Sequence, residues 1–107
     1  MNFPNDETGQ VLAVMHQAGI DLTLQHDVVF FQLFEQQSQA QAMVDYLAEK
    51  MPSLKVNVHA DEIPNVWDVD CTLQMIPTHQ AVIDKETEFE KIAAQFSGYN
   101  DGWGIEA

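Results

Sequence analysis

No arginine occurs in this chain of 107 residues, and its only lysines are Lys50, Lys55, Lys85 and Lys91. Against those 4 cations stand 17 aspartates and glutamates, for a formal net charge of -13. Proteins hold nucleic-acid phosphate by neutralising it with Lys and Arg, so this balance argues against a direct nucleic-acid partner. Cysteine is almost absent. The lone Cys71 cannot close an intrachain disulfide and gives no sign of an oxidising compartment. No apolar run approaches the roughly 18 residues that a membrane span needs. The start, Met1-Asn2-Phe3-Pro4-Asn5-Asp6-Glu7, lacks a basic n-region and an apolar h-region and does not read as a secretory signal. There is no glycine-rich phosphate loop, CxxC pair, HExxH or EF-hand loop. The expectation is a cytoplasmic protein without membrane contact, catalytic residues, cofactor or bound metal.

What is present is enough apolar residue for a packed core, 46% of the chain, in a length that fits one domain over residues 1–107. Val11, Leu12, Met15 and Ala18 form an apolar stripe on a first helix over 7–18, with Thr8 as its cap and Gly19 at its end. Residues 20–27 read equally as a strand, from Ile20, Leu22 and Leu24, or as a loop. Val28-Val29-Phe30-Phe31-Gln32-Leu33-Phe34 is a nearly unbroken apolar strand, which predicts a central strand covered on both faces. Ser38 caps a second helix with the stripe Ala40, Met43, Val44, Leu47 and Met51, stopped by Pro52. Residues 54–59 alternate as a half-buried strand. A turn at 61–65 joins them to a second alternating strand, 66–75, as a hairpin. In that second strand Trp67, Val69, Cys71, Leu73 and Met75 share one face, and Asp68, Asp70, Thr72 and Gln74 share the other. Thr78 and His79 open a third helix running to Phe96, with Gly98 as its C′ residue, and a last strand follows over 99–106.

The order α-βαββαβ predicts an α+β fold. Its last six elements match the ferredoxin-like βαββαβ plan, an antiparallel sheet with two helices on one face and the first and third strands central. The additional N-terminal helix is expected to cover part of the other sheet face, near one apolar row of 28–34.

The chain closes on Tyr99-Asn100-Asp101-Gly102-Trp103-Gly104, an aromatic, glycine-flanked segment where polar, frayed residues are usual. With this segment, the step Met75-Ile76-Pro77-Thr78 into the last helix, the glycine-closed first helix and the apolar strand before an Ala-rich helix, the chain resembles the RraB-like family, the regulators of ribonuclease E activity type B. The resemblance runs over roughly residues 5–106. The extra Asn100 between Tyr99 and Asp101, relative to the family's tighter spacing, is expected to be absorbed as a small bulge or a loop change. The resemblance implies a ferredoxin-like fold and a non-enzymatic role by protein–protein binding, as an inhibitor of ribonuclease E activity that modulates RNA degradation. The best-known members carry a long acidic tail after the tryptophan motif, which the residues here do not include.

Asp68, Asp70, Asp101 and Trp103 are the residues assigned to partner binding. Asp68 and Asp70 share a strand face, His59 is placed across the hairpin from them, and Asp101 is added from the last strand. Such carboxylates can meet an arginine-rich segment through bidentate, charge-assisted bonds, which makes ribonuclease E or another basic protein segment the expected partner. Trp103 has two readings, a plug at the core's edge with Gly102 and Gly104 allowing close backbone approach, or an exposed interface anchor. Two alternatives stand beside the regulator: a self-associating domain or homodimer with an unrelated partner, and a small-ligand or metal-binding enzyme using the acidic face. Phe30, Phe31 and Phe34 are assigned to the core rather than to base stacking, because the basic frame for RNA is missing. Cys71, in phase with the apolar face, is read as an inert buried hydrophobe.

Overall fold

A computed structural model of the chain describes residues 3–106. Its elements are helix α1 (Glu7–Gln17), strand β1 (His26–Phe34), helix α2 (Gln37–Lys50), strands β2 (Lys55–Ala60) and β3 (Trp67–Met75), helix α3 (His79–Gln95) and strand β4 (Tyr99–Ile105). The strands form one sheet in the order β2-β3-β1-β4, every neighbouring pair antiparallel. The fold is therefore α+β with the ferredoxin-like βαββαβ order after an N-terminal helix, and β1 and β3 are central.

Alternation along the paired strands sorts the side chains into two faces. Val28, Phe30 and Phe34 of β1, with Val69 and Cys71 of β3, are fully buried against Ala40, Met43 and Leu47 of α2 and Val82, Phe89 and Ala93 of α3. Phe30 and Phe89 meet with ring centroids 5.3 Å apart, a tilted aromatic pair. Gln32 lies in this same row and is 1% exposed; its Oε1 accepts the Cys71 thiol at 3.4 Å. Burial among apolar groups pushes that thiol up to about 12, and the nearby Asp70 charge adds to the shift. Cys71 is the inert hydrophobe its phase predicts.

The helix ends are decided by local chemistry. Thr78 Oγ1 accepts the Ala81 N–H at 3.1 Å and caps α3 as expected. At α1 the cap is Asp6 rather than Thr8: its Oδ1 accepts the Gly9 N–H at 2.7 Å, while Thr8 is buried one residue inside the helix. At α2 the N-cap is Gln36, without a side-chain cap bond, and Ser38 falls within the helix. At the end of α3 the left-handed residue is Ser97, at φ 66, and not Gly98. Gly98 is there for space: a Cβ on it would fall closer than 3.0 Å to three ring carbons of Phe34.

Two expectations about α1 and β1 are corrected. Helix α1 does not cover the free sheet face. It packs beside α3, with Leu12 fully buried and the Asp6 carboxylate 2.8 Å from His79 Nε2 at the start of α3. Strand β1 is accordingly covered by helices on one face only. On the other face Val29 is buried, but Phe31 and Leu33 stay partly exposed. An apolar run in a central strand signals burial without saying whether a helix or the neighbouring strands' side chains supply it.

Of the bulge or loop change expected from Asn100, the structure has the bulge. Phe30 pairs with Trp103 while Gln32 pairs with Asn100, so β4 holds one residue more than β1 between these pairs. Gly102 takes up the kink at φ +100, a conformation that favours glycine. Asn100 locks the bulge from both ends of its amide: Oδ1 accepts the Gly102 N–H at 3.1 Å, and Nδ2 donates to Glu86 of α3 at 3.2 Å.

Candidate functional site

The four residues assigned to binding lie in two places. Asp68 and Asp70 stand on the face of β3 turned away from the helices, in register with Leu33 and Phe31 of β1. His59 is opposite Asp68 on β2, as expected. Its Nε2 lies 2.9 Å from Asp70 Oδ2, and its Nδ1 lies 3.7 Å from Asp68 Oδ2 and 3.2 Å from the Ala60 carbonyl. Both ring nitrogens thus face acceptors, which the imidazolium alone can satisfy by donating from each. The Ala60 carbonyl and then the Asp70 carboxylate hold its pKa above the ordinary histidine value.

Asp68 has a second neighbour that the sequence pattern does not reveal. Asp61, in the turn before β3, shares a hydrogen bond with it. Asp61 Oδ2 accepts the Ile63 N–H at 2.9 Å, and that bond first, then the one with Asp68, holds Asp61 below the usual carboxylate value. Asp68 moves the other way, to about 6, through burial first and the Asp61 hydrogen bond and charge second. One proton shared between two carboxylates settles on the more buried of them. The Oδ1 atoms of Asp68 and Asp70 are buried and have no hydrogen-bond partner. Among the described residues no group of three or more His, Cys, Asp or Glu has the arrangement to hold a metal ion.

The sign of these shifts predicts an acid-side gain in stability. Asp68 and His59 both bind a proton more tightly in the fold than in the unfolded chain. Each contribution is full below the unfolded value and is lost as pH rises through the folded one. Asp6, Asp21 and Asp61 are held low by hydrogen bonds, so their contributions are lost only as pH falls through those depressed values. The urea midpoint is expected to be higher near about pH 5.5 than near about pH 8. Asp68→Asn should reduce that difference; a variant with the parent's full pH profile would assign the effect to other groups.

Asp101 and Trp103 are elsewhere. They lie on β4, with β1 between that strand and β3. Asp101 is exposed at the bulge and does not join the His59 cluster. Trp103 is paired with Phe30 and packs against the core on the helical side, the face opposite Asp68 and Asp70. This supports its reading as a plug at the core's edge. The accompanying account of the glycines is corrected: Gly102 serves a positive φ, and a Cβ on Gly104 would make only ordinary contacts at 3.9 Å. Outside the core, Trp103 lines a cleft of about 420 Å³ between α1, α3 and β4, with Val11, Glu7, Glu86, Asn100 and Asp101 around it. The sequence pattern gives no sign of this cleft, because the apolar stripe of α1 does not say against which element the helix packs.

These features define a ferredoxin-like α+β domain with an acidic, helix-free sheet face and a carboxylate-rimmed cleft at its edge strand. The family model described as regulator of ribonuclease activity B matches residues 5–105, nearly the whole chain, and the chain belongs to that family. The family is one of regulators of ribonuclease activity, which implies a protein partner. No curated protein matches the chain. Among the described residues no helix is long and apolar enough to cross a membrane.

Proposed function

We propose that this chain is a non-enzymatic, cytoplasmic regulator that binds a ribonuclease, with ribonuclease E as the family-implied target, through a basic segment of that enzyme. One observation carries the reading. Asp68 and Asp70 stand side by side on a sheet face without a helix, in a chain of net charge -13 that has no arginine of its own. His59, half-exposed, is the one cation within 4.0 Å of them among the described residues. An arginine of the partner takes the place of the imidazolium at the two outward oxygens, and its apolar stem lies along Phe31 and Leu33. Basic stretches of an RNA-processing enzyme otherwise serve RNA, so occupying them lowers activity without chemistry on the part of the regulator. Inhibition then follows the amount of regulator present and shows no turnover.

The test is calorimetric titration of the purified chain into ribonuclease E, at low and at physiological salt, beside a ribonuclease assay. Asp68→Asn/Asp70→Asn is expected to weaken binding about tenfold or more, as for the loss of charged hydrogen bonds. The parent's affinity should fall as salt rises. Binding that ignores both the double substitution and the salt would remove this face from the mechanism. Self-association without ribonuclease binding would favour the homodimer instead.

A further inference from the structure

We infer that the cleft between α1, α3 and β4 is a second binding site, for a basic side chain, arginine or lysine, of an extended peptide. Three carboxylate side chains line it, Glu7 from the first turn of α1, Glu86 from α3 and Asp101 from the bulge of β4, and no lysine or histidine does. Trp103 and Val11 provide the apolar part of its wall. An aromatic ring beside carboxylates is the arrangement that holds a cation on an aliphatic stem: the ring attracts the charge through its face, the stem covers apolar surface, and the acids neutralise the head. The volume, about 420 Å³, lies in the range of small-ligand sites and exceeds what one such side chain needs.

The cleft is also built rather than incidental. The bulge sets Asp101 at the rim, and the Asn100 amide ties that bulge to Glu86 and to the Gly102 N–H. Trp103 is anchored by packing against the core. The carboxylate of Glu86 is therefore placed before any ligand arrives, while Glu7 and Asp101 are exposed and free to close on it. The Asp68–Asp70 face differs in this respect, because His59 already occupies its outward oxygens. The cleft lies on the opposite side of the sheet from those aspartates, so this site goes beyond the proposed ribonuclease contact and does not depend on it.

The probe is a short arginine–glycine repeat peptide, titrated into the isotopically labelled chain and followed by amide and indole NMR signals. The expected result is movement of the Trp103 indole N–H and the Gly102 amide. Glu86→Gln/Asp101→Asn should weaken that binding about five- to tenfold, the cumulative effect of one half-buried and one exposed charge pair. The charge-matched Asp45→Asn/Glu49→Gln, on the exposed side of α2, which packs on β1, β2 and β3, should change it less than twofold. Movement confined to the amides of β2 and β3 around His59, Asp68 and Asp70 would overturn this site and leave the proposed function standing. Equal weakening by both double variants would reduce it to a general effect of charge and also overturn it. Tighter binding of free spermidine than of the peptide at the same signals would reassign the cleft to a small polyamine.

Discussion

Gly98→Ala is expected to destabilise the domain by about 3 kcal/mol or more, at the upper end of what overpacking costs. The reason is steric rather than conformational. The added methyl would fall closer than 3.0 Å to the Cδ1, Cε1 and Cζ atoms of Phe34. That ring is fully buried and belongs to the cluster that joins β1 to both covering helices, so it has no solvent side to swing into. Moving Gly98 instead would strain its N–H bond to the Ala93 carbonyl, 2.8 Å long, which closes the end of α3 and aims the chain into β4. Gly104→Ala is the internal control. Its new methyl meets Phe31 and Val29 at 3.9 Å, ordinary contact, and the change should stay within about 0.5 kcal/mol. Urea denaturation of both variants checks the pair; equal midpoints would mean that the Phe34 ring yields at little cost.

Phe30→Ala is expected to cost about 3–5 kcal/mol, the range for emptying a buried aromatic site. Phe30 is fully buried at the middle of the sheet, between Cys71 of β3 and Trp103 of β4, and faces Phe89 of α3. Three elements therefore line the void, and none can collapse into it without breaking strand register. A domain of this size has only about 5–15 kcal/mol to lose, so the variant should be marginal at room temperature. The measurement is the same urea midpoint, with a double-mutant cycle against Phe89→Leu to isolate the ring pair. A loss below about 1.5 kcal/mol would show that neighbouring side chains refill the site.

The order of elements was legible because each carries a strong local signal. The residues 28–34, the alternation of 66–75 and the Thr78 cap each point to one structure, and the βαββαβ order then leaves few sheet topologies open. Even an irregularity in β4 could be read, since one surplus residue beside a glycine in a paired strand ends as a bulge or a loop change. The position of α1 could not. Its stripe says that the helix packs but not on what, and the long-range His79–Asp6 contact that fixes it leaves no periodic trace. For the same reason the pattern does not say which of the binding residues come together. Asp68 and Asp70 are adjacent by simple alternation, and His59 joins them through a hairpin. Asp101 and Trp103 depend on which side of the sheet each falls, which the bulge decides. Gln32 shows a further limit: a polar residue inside an apolar run gives no indication that its amide will be buried beside a thiol.

The pairing of β1 with β4 has a consequence for how the molecule reaches its native state. Phe30 meets Trp103 only after about seventy further residues have been made, and such non-local contacts slow folding relative to a helical bundle. During that interval β1 has a partner on one side alone. The most apolar stretch of the sequence then offers open N–H and C=O groups to any other nascent chain, so aggregation during synthesis, rather than melting afterwards, is where mutations in residues 99–105 should first be felt.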